Sequence, residues 1–266
     1  MRETNRMGQT IKSVVTEKLY KQLAIDYCCM VSDIADHRNH FTEYRKIDGS
    51  RRFEGMEDCP LKVIVVNGKL VFSGKKQVID ICEQKFGNRS GNWFMDVASF
   101  RLLDEILKDE GYRLKTAHPF FIPGDDGICK IDGLEIRKYN QQEILQFKGD
   151  DRFEEAFCFD DNAPDMLGIA AIVNNEIVGM AGASADSPLF WQIGINVDKR
   201  FEGRHIASSL VSELKHDILQ QGLVPYYGTS FSNLASQRVA AKAGFEVAWV
   251  ELVSEKCGGG NYDDRI

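Results

Sequence analysis

Gln192-Ile-Gly-Ile-Asn-Val-Asp-Lys-Arg-Phe-Glu-Gly-Arg-His-Ile-Ala-Ser-Ser-Leu-Val211 is the stretch on which the reading of this chain turns. Its apolar start, part of a run from Phe190 to Val197, reads as a strand. A short polar loop follows, and Gly203 opens a helix that runs to about Gln221 and stops at Gly222. The first N–H groups of such a helix have no internal partner, and its dipole places partial positive charge there. That end is suited to a phosphate. Gly203 lets a ligand approach the backbone, Ala207 keeps the first turn small, and Arg204 adds a cation. Ile206, Leu210, Val211, Leu214 and Ile218 share one face, so the helix packs on a sheet. A plain connection with a capping glycine has the same local pattern, so the flanking segments must decide.

Downstream, Leu223 to Thr229 reads as a strand, Asn233 to Ala243 as a helix closed by Gly244, and Phe245 to Val253 as a final strand. Upstream, Leu167 to Val173 and Ile177 to Ala185 are apolar strands joined by the tight turn Asn174-Asn175-Glu176. Leu134 to Tyr139 is a short strand, and Asn140 to Phe147 and Arg152 to Phe159 are expected helices. The order is mixed α/β (α+β) with an antiparallel start, unlike a doubly wound dinucleotide fold.

The first half is less regular. A helix is expected over Lys12 to Ala24, then a polar stretch from Asp33 to Asp58. A hairpin follows, with strands Leu61–Val66 and Lys69–Phe72 turning at Asn67-Gly68. Helices are expected over Lys76 to Phe86 and Phe94 to Glu110, the latter capped by Gly111. Pro119 to Asp132, with two prolines, two glycines and three acidic residues, reads as a linker. The expected division is therefore a smaller α/β domain over residues 1–130 and a second domain over 131–266.

Asn233, Gly244 and Phe245 complete a pattern that begins at the Gly203 loop. The conjunction resembles the GNAT N-acetyltransferase superfamily, over roughly the last 120 residues. In that family a loop of the form Arg/Gln-x-x-Gly-x-Gly/Ala holds the coenzyme A pyrophosphate. A later Asn opens the next helix and touches the cofactor, and a Gly-Phe pair follows. Finer phrasing at Val178-Gly-Met-Ala-Gly-Ala-Ser-Ala-Asp186, Trp191-Gln-Ile-Gly-Ile195 and Thr229-Ser-Phe-Ser-Asn-Leu-Ala-Ser-Gln-Arg-Val239 resembles one bacterial branch. That branch carries an extra N-terminal domain and includes zwittermicin-type resistance acetyltransferases. The resemblance implies a mixed central sheet flanked by helices and transfer of an acetyl group from acetyl-CoA to an amine. It also implies cofactor contacts at Ile195, Asn196, Val197, Gly203, Arg204, His205, Ile206, Ala207, Asn233 and Ser236, with the backbone of Ile195 to Val197 polarising the thioester carbonyl.

The chain departs from that pattern at three positions. Aligned on Ala207, the loop's Arg/Gln falls at Glu202 and its middle glycine at His205, which sets a negative charge beside a pyrophosphate and restricts the backbone. Arg200 or Arg204 compensates, or affinity for coenzyme A is low. The tyrosine that many members use to protonate the departing thiolate falls at Ala240. Ser236, Tyr226, Tyr227 or solvent must serve instead, and a thiol with a pKa near ~8.5 tolerates leaving without help. For the base, Asp186 is the first candidate, with a water relayed through Gln192 or the Ser184 hydroxyl as the next. Asp186 in Ala-Asp-Ser-Pro is equally read as a turn carboxylate, and Tyr226 and Tyr227 as core residues on alternate faces of a strand.

Composition narrows the classes. At 266 residues, with 43% hydrophobic and 27% charged residues, the chain can bury a core as an ordinary globular protein. A net charge of −7 disfavours nucleic acid as a partner. No run approaches the ~18 apolar residues of a membrane span, and the polar first residues are unlike a secretory signal. Seven cysteines without regular spacing point to reduced thiols and a cytoplasmic location. The lack of a CxxC, with no cysteine pair near His37 and His40, argues against a metal. The expected activity is direct transfer from acetyl-CoA to a small-molecule amine in a ternary complex. The rivals are an acyl-CoA-binding sensor with weakened catalysis and a protein N-acetyltransferase. A homodimer is compatible with the sequence.

Overall fold

A computed structural model describes residues 2–52, 59–124, 127 and 134–257, with side chains from Lys12 onward. In chain order the elements are α1 (Arg2–Asp26), α2 (Val31–Ala35), β1 (His40–Glu43), β2 (Leu61–Val66), β3 (Lys69–Gly74), α3 (Lys76–Phe86), α4 (Val97–Lys108) and β4 (Tyr112–Pro123). They continue with β5 (Glu135–Asn140), α5 (Gln141–Ile144), β6 (Asp165–Val173), β7 (Glu176–Ala185), β8 (Phe190–Val197), α6 (Ile206–Gln220), β9 (Val224–Gly228), α7 (Leu234–Lys242) and β10 (Phe245–Lys256).

The chain divides into two compact units. One comprises Met1–Gln22 and Phe120–Ala248, the other Leu23–Pro119 and Trp249–Ile266. The sequence suggests one cut near residue 130. The structure instead divides the chain within α1, β4 and β10, because each of these elements contributes residues to both units.

In the first unit the strands lie in the order β4-β9-β8-β7-β6-β5. β5 to β8 run antiparallel, and β8 and β9 run parallel. Asn174 and Asn175 both adopt the left-handed φ that a two-residue hairpin requires, 49° and 64°. α6 buries Ile206, Leu210, Val211, Leu214 and Ile218 against the sheet residues Val178, Ala181 and Ile193. Each such side chain contributes roughly 1.5–3 kcal/mol of burial. Lys215 on the same helix is buried, and its Nζ donates at 2.7 Å to the carbonyl of Ala243, at the end of α7.

The opposite face of the sheet carries residues 141–157, with Tyr139, Ile144, Phe147, Phe153 and Phe157 in the core. Here the chain departs from the expected helix over Arg152–Phe159. Only Asp151–Phe153 forms a turn of 3-10 helix. The following N–H groups are taken by side chains of the sheet. Asn196 Oδ1 accepts from Glu155 and Ala156 at 3.1 and 2.8 Å, and Asp165 accepts from Cys158 and Phe159 at 3.3 and 2.8 Å. Two paired glycines make the close approach possible. A Cβ at Gly182 would stand 1.9 Å from the Ala156 carbonyl oxygen, and one at Gly194 1.7 Å from that of Glu155.

The second unit holds strands in the order β1-β3-β2-β10. Its hairpin matches the sequence expectation, with Val66 opposite Lys69 and both Asn67 and Gly68 at positive φ. α3 spans Lys76–Phe86 as expected, while α4 begins at Val97, where Asp96 caps it by accepting from Ser99 N at 2.7 Å. The polar stretch after Asp33 contains β1, and the expected linker overlaps β4, which continues through Pro119 to Pro123. Residues 53–58, 125–126 and 128–132 of these two stretches lie outside the described residues. A buried ionic cluster ties the unit together. Arg51 reaches Asp26 at 2.6 Å and Glu251 at 2.7 Å, and Tyr27 donates to Glu251 at 3.0 Å.

Candidate active site

β8 and β9 pair only over Phe190↔Val224, Trp191↔Pro225 and Gln192↔Tyr226. Beyond that row β8 continues to Val197 alongside β7, so the two parallel strands part. The parting exposes backbone. Asp198 N–H donates to Val178 O on the β7 side at 2.9 Å. By alternation along the strand the N–H groups of Asn196 and Gly194 face β7 as well, and those of Ile195 and Val197 face the gap. Of the expected trio, Ile195 and Val197 thus offer backbone donors to the gap, and Asn196 uses its side chain to hold residues 155–156.

The turn between β8 and α6 is strained and open. Gly203 lies at φ +76°, with no atom of the described residues within 4 Å of the Cβ direction, and His205, the N-cap of α6, also takes a left-handed conformation at φ 63°. The His205 side chain makes no cap bond, and its carbonyl accepts from Ser209 N at 3.0 Å. Among the described residues, no protein acceptor takes the N–H groups of Gly203, Arg204, His205, Ile206 or Ala207. Successive N–H groups around left-handed residues form an anion-binding concavity. The side-chain cations are partly committed: Arg200 forks onto Asp198 at 2.7 and 3.1 Å, and the Arg204 guanidinium lies 5.1 Å from the centre of the Phe201 ring. Glu202 is exposed beside the turn.

α7 begins at Asn233, whose Oδ1 caps it by accepting from Ser236 N at 3.0 Å. Ser236 Oγ is 2.8 Å from the Tyr227 hydroxyl. Tyr227 packs with Phe121 and Phe245, and burial pushes its phenol above the ordinary tyrosine range. Ala240, in the same helix, is fully buried in the same core.

The other face of the same strands carries a second polar group. Ser184, Gln192 and Tyr226 form one row across β7, β8 and β9. Tyr226 donates to Asp186 Oδ2 and lies 3.1 Å from the amide oxygen of Gln192, while Ser184 donates to Asp186 Oδ1 at 2.9 Å. Asp186, Ser184 and Tyr226 are buried, with Phe120 and Phe190 flanking the tyrosine, and Gln192 is half-buried. The structure thus brings Asp186 and Gln192 together through Tyr226, and places Tyr227 with Ser236 on the opposite face. The link from Asp186 to Tyr226 spans 40 residues of sequence. Among the described residues no cluster of three or more His, Cys, Asp or Glu is placed to hold a metal, and no helix is long and apolar enough to cross a membrane.

Residues 134–245 match the family model described as Acetyltransferase (GNAT) family. The mixed sheet with its parted parallel pair, flanked by helices, is the acyltransferase fold of that family. Solved structures similar to this chain include a putative GNAT acetyltransferase from Novosphingobium aromaticivorans (17% identity, 55% of this chain and 68% of that one, TM-score 0.39). A GCN5-related N-acetyltransferase-like protein from Streptococcus suis is 15% identical over 79% of this chain and 89% of its own, with a TM-score of 0.45. The aminoglycoside N-acetyltransferase AAC(6')-Iy, solved with CoA, is 23% identical over 50% of this chain and all of its own, with a TM-score of 0.33. No curated protein matches the chain.

Proposed function

We propose, from the premise that residues 134–245 carry the GNAT acyltransferase fold, that this protein transfers an acetyl group from acetyl-CoA to the amine of a small molecule. The observation that carries the reading is the set of open N–H groups from Gly203 to Ala207, standing at the end of a strand that has parted from its parallel neighbour. These residues fit a coenzyme A diphosphate, since successive backbone donors stand there and, among the described residues, nothing fills the space above Gly203. The bound thioester supplies an activated acyl carbon. The N–H groups of Ile195 and Val197 stabilise charge developing on the carbonyl oxygen.

The two faces divide the proton chemistry. Tyr227 and Ser236 stand on the face of α6 and α7 and deliver a proton to the leaving thiolate, with solvent able to substitute. Asp186, Tyr226 and Gln192 stand on the face from which the amine arrives. Transfer is direct. Cys158 Sγ lies 3.7 Å from Ala163 O and 3.8 Å from Asp165 Oδ1, and neither is the imidazole that commonly activates a cysteine nucleophile. In the other unit burial raises Cys29, Cys59 and Cys82 to about 12, 11 and 12, so their thiolates are absent at neutral pH. Six described cysteines are free thiols, in keeping with a cytoplasmic protein. The finer likeness to zwittermicin-type resistance enzymes supports an antibiotic or amino-acid-like acceptor.

A second reading, an acyl-CoA sensor with weak catalysis, is favoured by the commitment of Arg200 to Asp198 and by Glu202 beside the turn. Calorimetric titration with acetyl-CoA, followed by thiol release across a panel of amines, separates the two. Turnover of any amine supports the enzyme. Binding without turnover supports the sensor, and no binding at millimolar cofactor removes both.

A further inference from the structure

Glu155 rests on the strand that borders the gap between β8 and β9. Asn196 Oδ1 accepts from Glu155 N at 3.1 Å, and a Cβ at Gly194 would stand 1.7 Å from the Glu155 carbonyl oxygen. Gln192, Gly194 and Asn196 share that face of β8. The backbone of Glu155 therefore bridges Gly194 and Asn196 and lies across Ile195, one of the two residues whose N–H groups face the gap. Its side chain is exposed. A glutamate carboxylate reaches up to about 5 Å from its own Cα. Neighbouring strands lie about 4.8 Å apart, so that reach covers the space β9 leaves on parting.

Tyr227 shows which way the side chain reaches. It is the first residue of β9 beyond the row Gln192↔Tyr226, and its hydroxyl lies with Ser236 on the face opposite Glu155. Burial is the main cause of its raised pKa, Ser236 offsets part of this, and the negative charge of Glu155 adds to it. Between the two residues β8 and β9 are unpaired. The carboxylate is thus turned toward the gap.

We infer that Glu155 is the catalytic base of the acceptor side, receiving the amine as its ammonium and taking the first proton. This role rests on the acyl-transfer reading, whereas the position of the carboxylate does not. An alkylammonium with a pKa near ~10 is charged at neutral pH and has no lone pair for attack. It gives one proton to Glu155 and becomes a neutral amine. The nitrogen lone pair then forms the C–N bond, and the C–S bond breaks with its electron pair on sulfur. The second proton shed by nitrogen ends on the thiolate. Glu155, being exposed, returns its own proton to water. Asp186 on the same face is buried and bonded to Ser184 and Tyr226, which suits it to orient the tyrosine. Alkylamines are preferred as acceptors over weakly basic aromatic amines, which bring no charge to the carboxylate.

Glu155→Gln is the test, because it removes the charge and keeps the backbone N–H and carbonyl that hold residue 155 on β8. Its melting curve should match that of the unmodified protein. The Tyr227 phenol is identified, when phenolate absorbance is followed in alkali, as the one missing from Tyr227→Phe. It should titrate at lower pH in Glu155→Gln and stay raised in Glu155→Asp. An unmoved titration in Glu155→Gln overturns the placement of the carboxylate.

Kinetics then test the role. Near neutral pH, Glu155→Gln should lower kcat/KM for an alkylamine about a hundredfold and leave the KM for acetyl-CoA within about twofold. Glu155→Asp should recover part of the loss. The deficit should shrink as pH approaches about 10, where the amine is neutral without help. A deficit that does not change with pH, or no deficit, overturns the base role. If no form acetylates any amine, the acyl-transfer reading falls and the base role with it, while the Tyr227 titration still decides where the carboxylate lies.

Discussion

Tyr226 and Tyr227, neighbours on β9, send their hydroxyls to opposite faces of the sheet, the first to Asp186 and the second to Ser236 at 2.8 Å. Alternation along a strand makes this unavoidable. It would give the proposed acyl transfer one hydroxyl on each side of the gap.

The Tyr227–Ser236 pair should act on the leaving thiolate as a unit. Tyr227→Phe is expected to lower kcat about tenfold, a cost of about 1.4 kcal/mol, with the KM for acetyl-CoA unchanged. Ser236→Ala should cost about as much, and the double variant little more than either. Additive losses in the double variant would show that the hydroxyls work independently.

The same pair should stay protonated well into the alkaline range. Burial, the dominant influence, raises the Tyr227 pKa, and the contact with Ser236 only partly offsets it. A phenol whose folded pKa is raised keeps its proton to higher pH when folded. Its contribution to stability is intact below the ordinary tyrosine value of about 10 and fades as pH rises through the raised value. The rate should therefore show no alkaline decline from Tyr227 between pH 8 and 10, and Tyr227→Phe should leave the shape of the profile unchanged in that range.

Much of this was legible beforehand. Asn67-Gly68 and Asn174-Asn175 announce their hairpins because few other residues accept two successive left-handed conformations. The strand, turn and helix from Phe190 to Gln220 follow from apolar period and a glycine. The segment 152–159 was not legible as irregular. Its helix-like composition is overridden by Asn196 and Asp165, which take its N–H groups from elsewhere in the unit. Nor does composition show that Asp186 meets Tyr226, since that contact requires the register Ser184↔Gln192↔Tyr226.

Gly182 and Gly194 can be tested as a pair. Alanine at Gly194 would put a Cβ 1.7 Å from Glu155 O, and alanine at Gly182 one 1.9 Å from Ala156 O. Both obstacles are backbone, so residues 155–157 must lift from the sheet. Each substitution should cost about 2–3 kcal/mol in thermal or denaturant unfolding. A change below about 0.5 kcal/mol would mean that this segment does not rest on the glycines.

In the other unit, Arg51→Leu removes the cation that Asp26 and Glu251 share at 2.6 and 2.7 Å. Two buried carboxylates then face each other without it, and a loss of roughly 3–5 kcal/mol is expected in urea unfolding. Arg51→Lys should recover only part of this, because an ammonium cannot fork between the two.

Glu202 offers the most direct test of where the diphosphate sits. Its carboxylate is exposed beside five backbone N–H groups that no described acceptor takes, so it repels an anion held there and adds nothing to the turn's own bonds. Glu202→Gln removes the charge and keeps the shape. An exposed charge near a helix start is worth about 0.3–1 kcal/mol, so the Kd for coenzyme A should fall about two- to fivefold at low ionic strength. At about 1 M salt the screening length drops to roughly 3 Å, and the advantage should vanish. Dephosphorylated pantetheine, which lacks the diphosphate, should bind both forms equally. If Glu202→Gln left coenzyme A affinity unchanged at low salt, or improved pantetheine binding as much, the anion would have to lie away from the Gly203 turn, and the geometry proposed for the thioester would go with it.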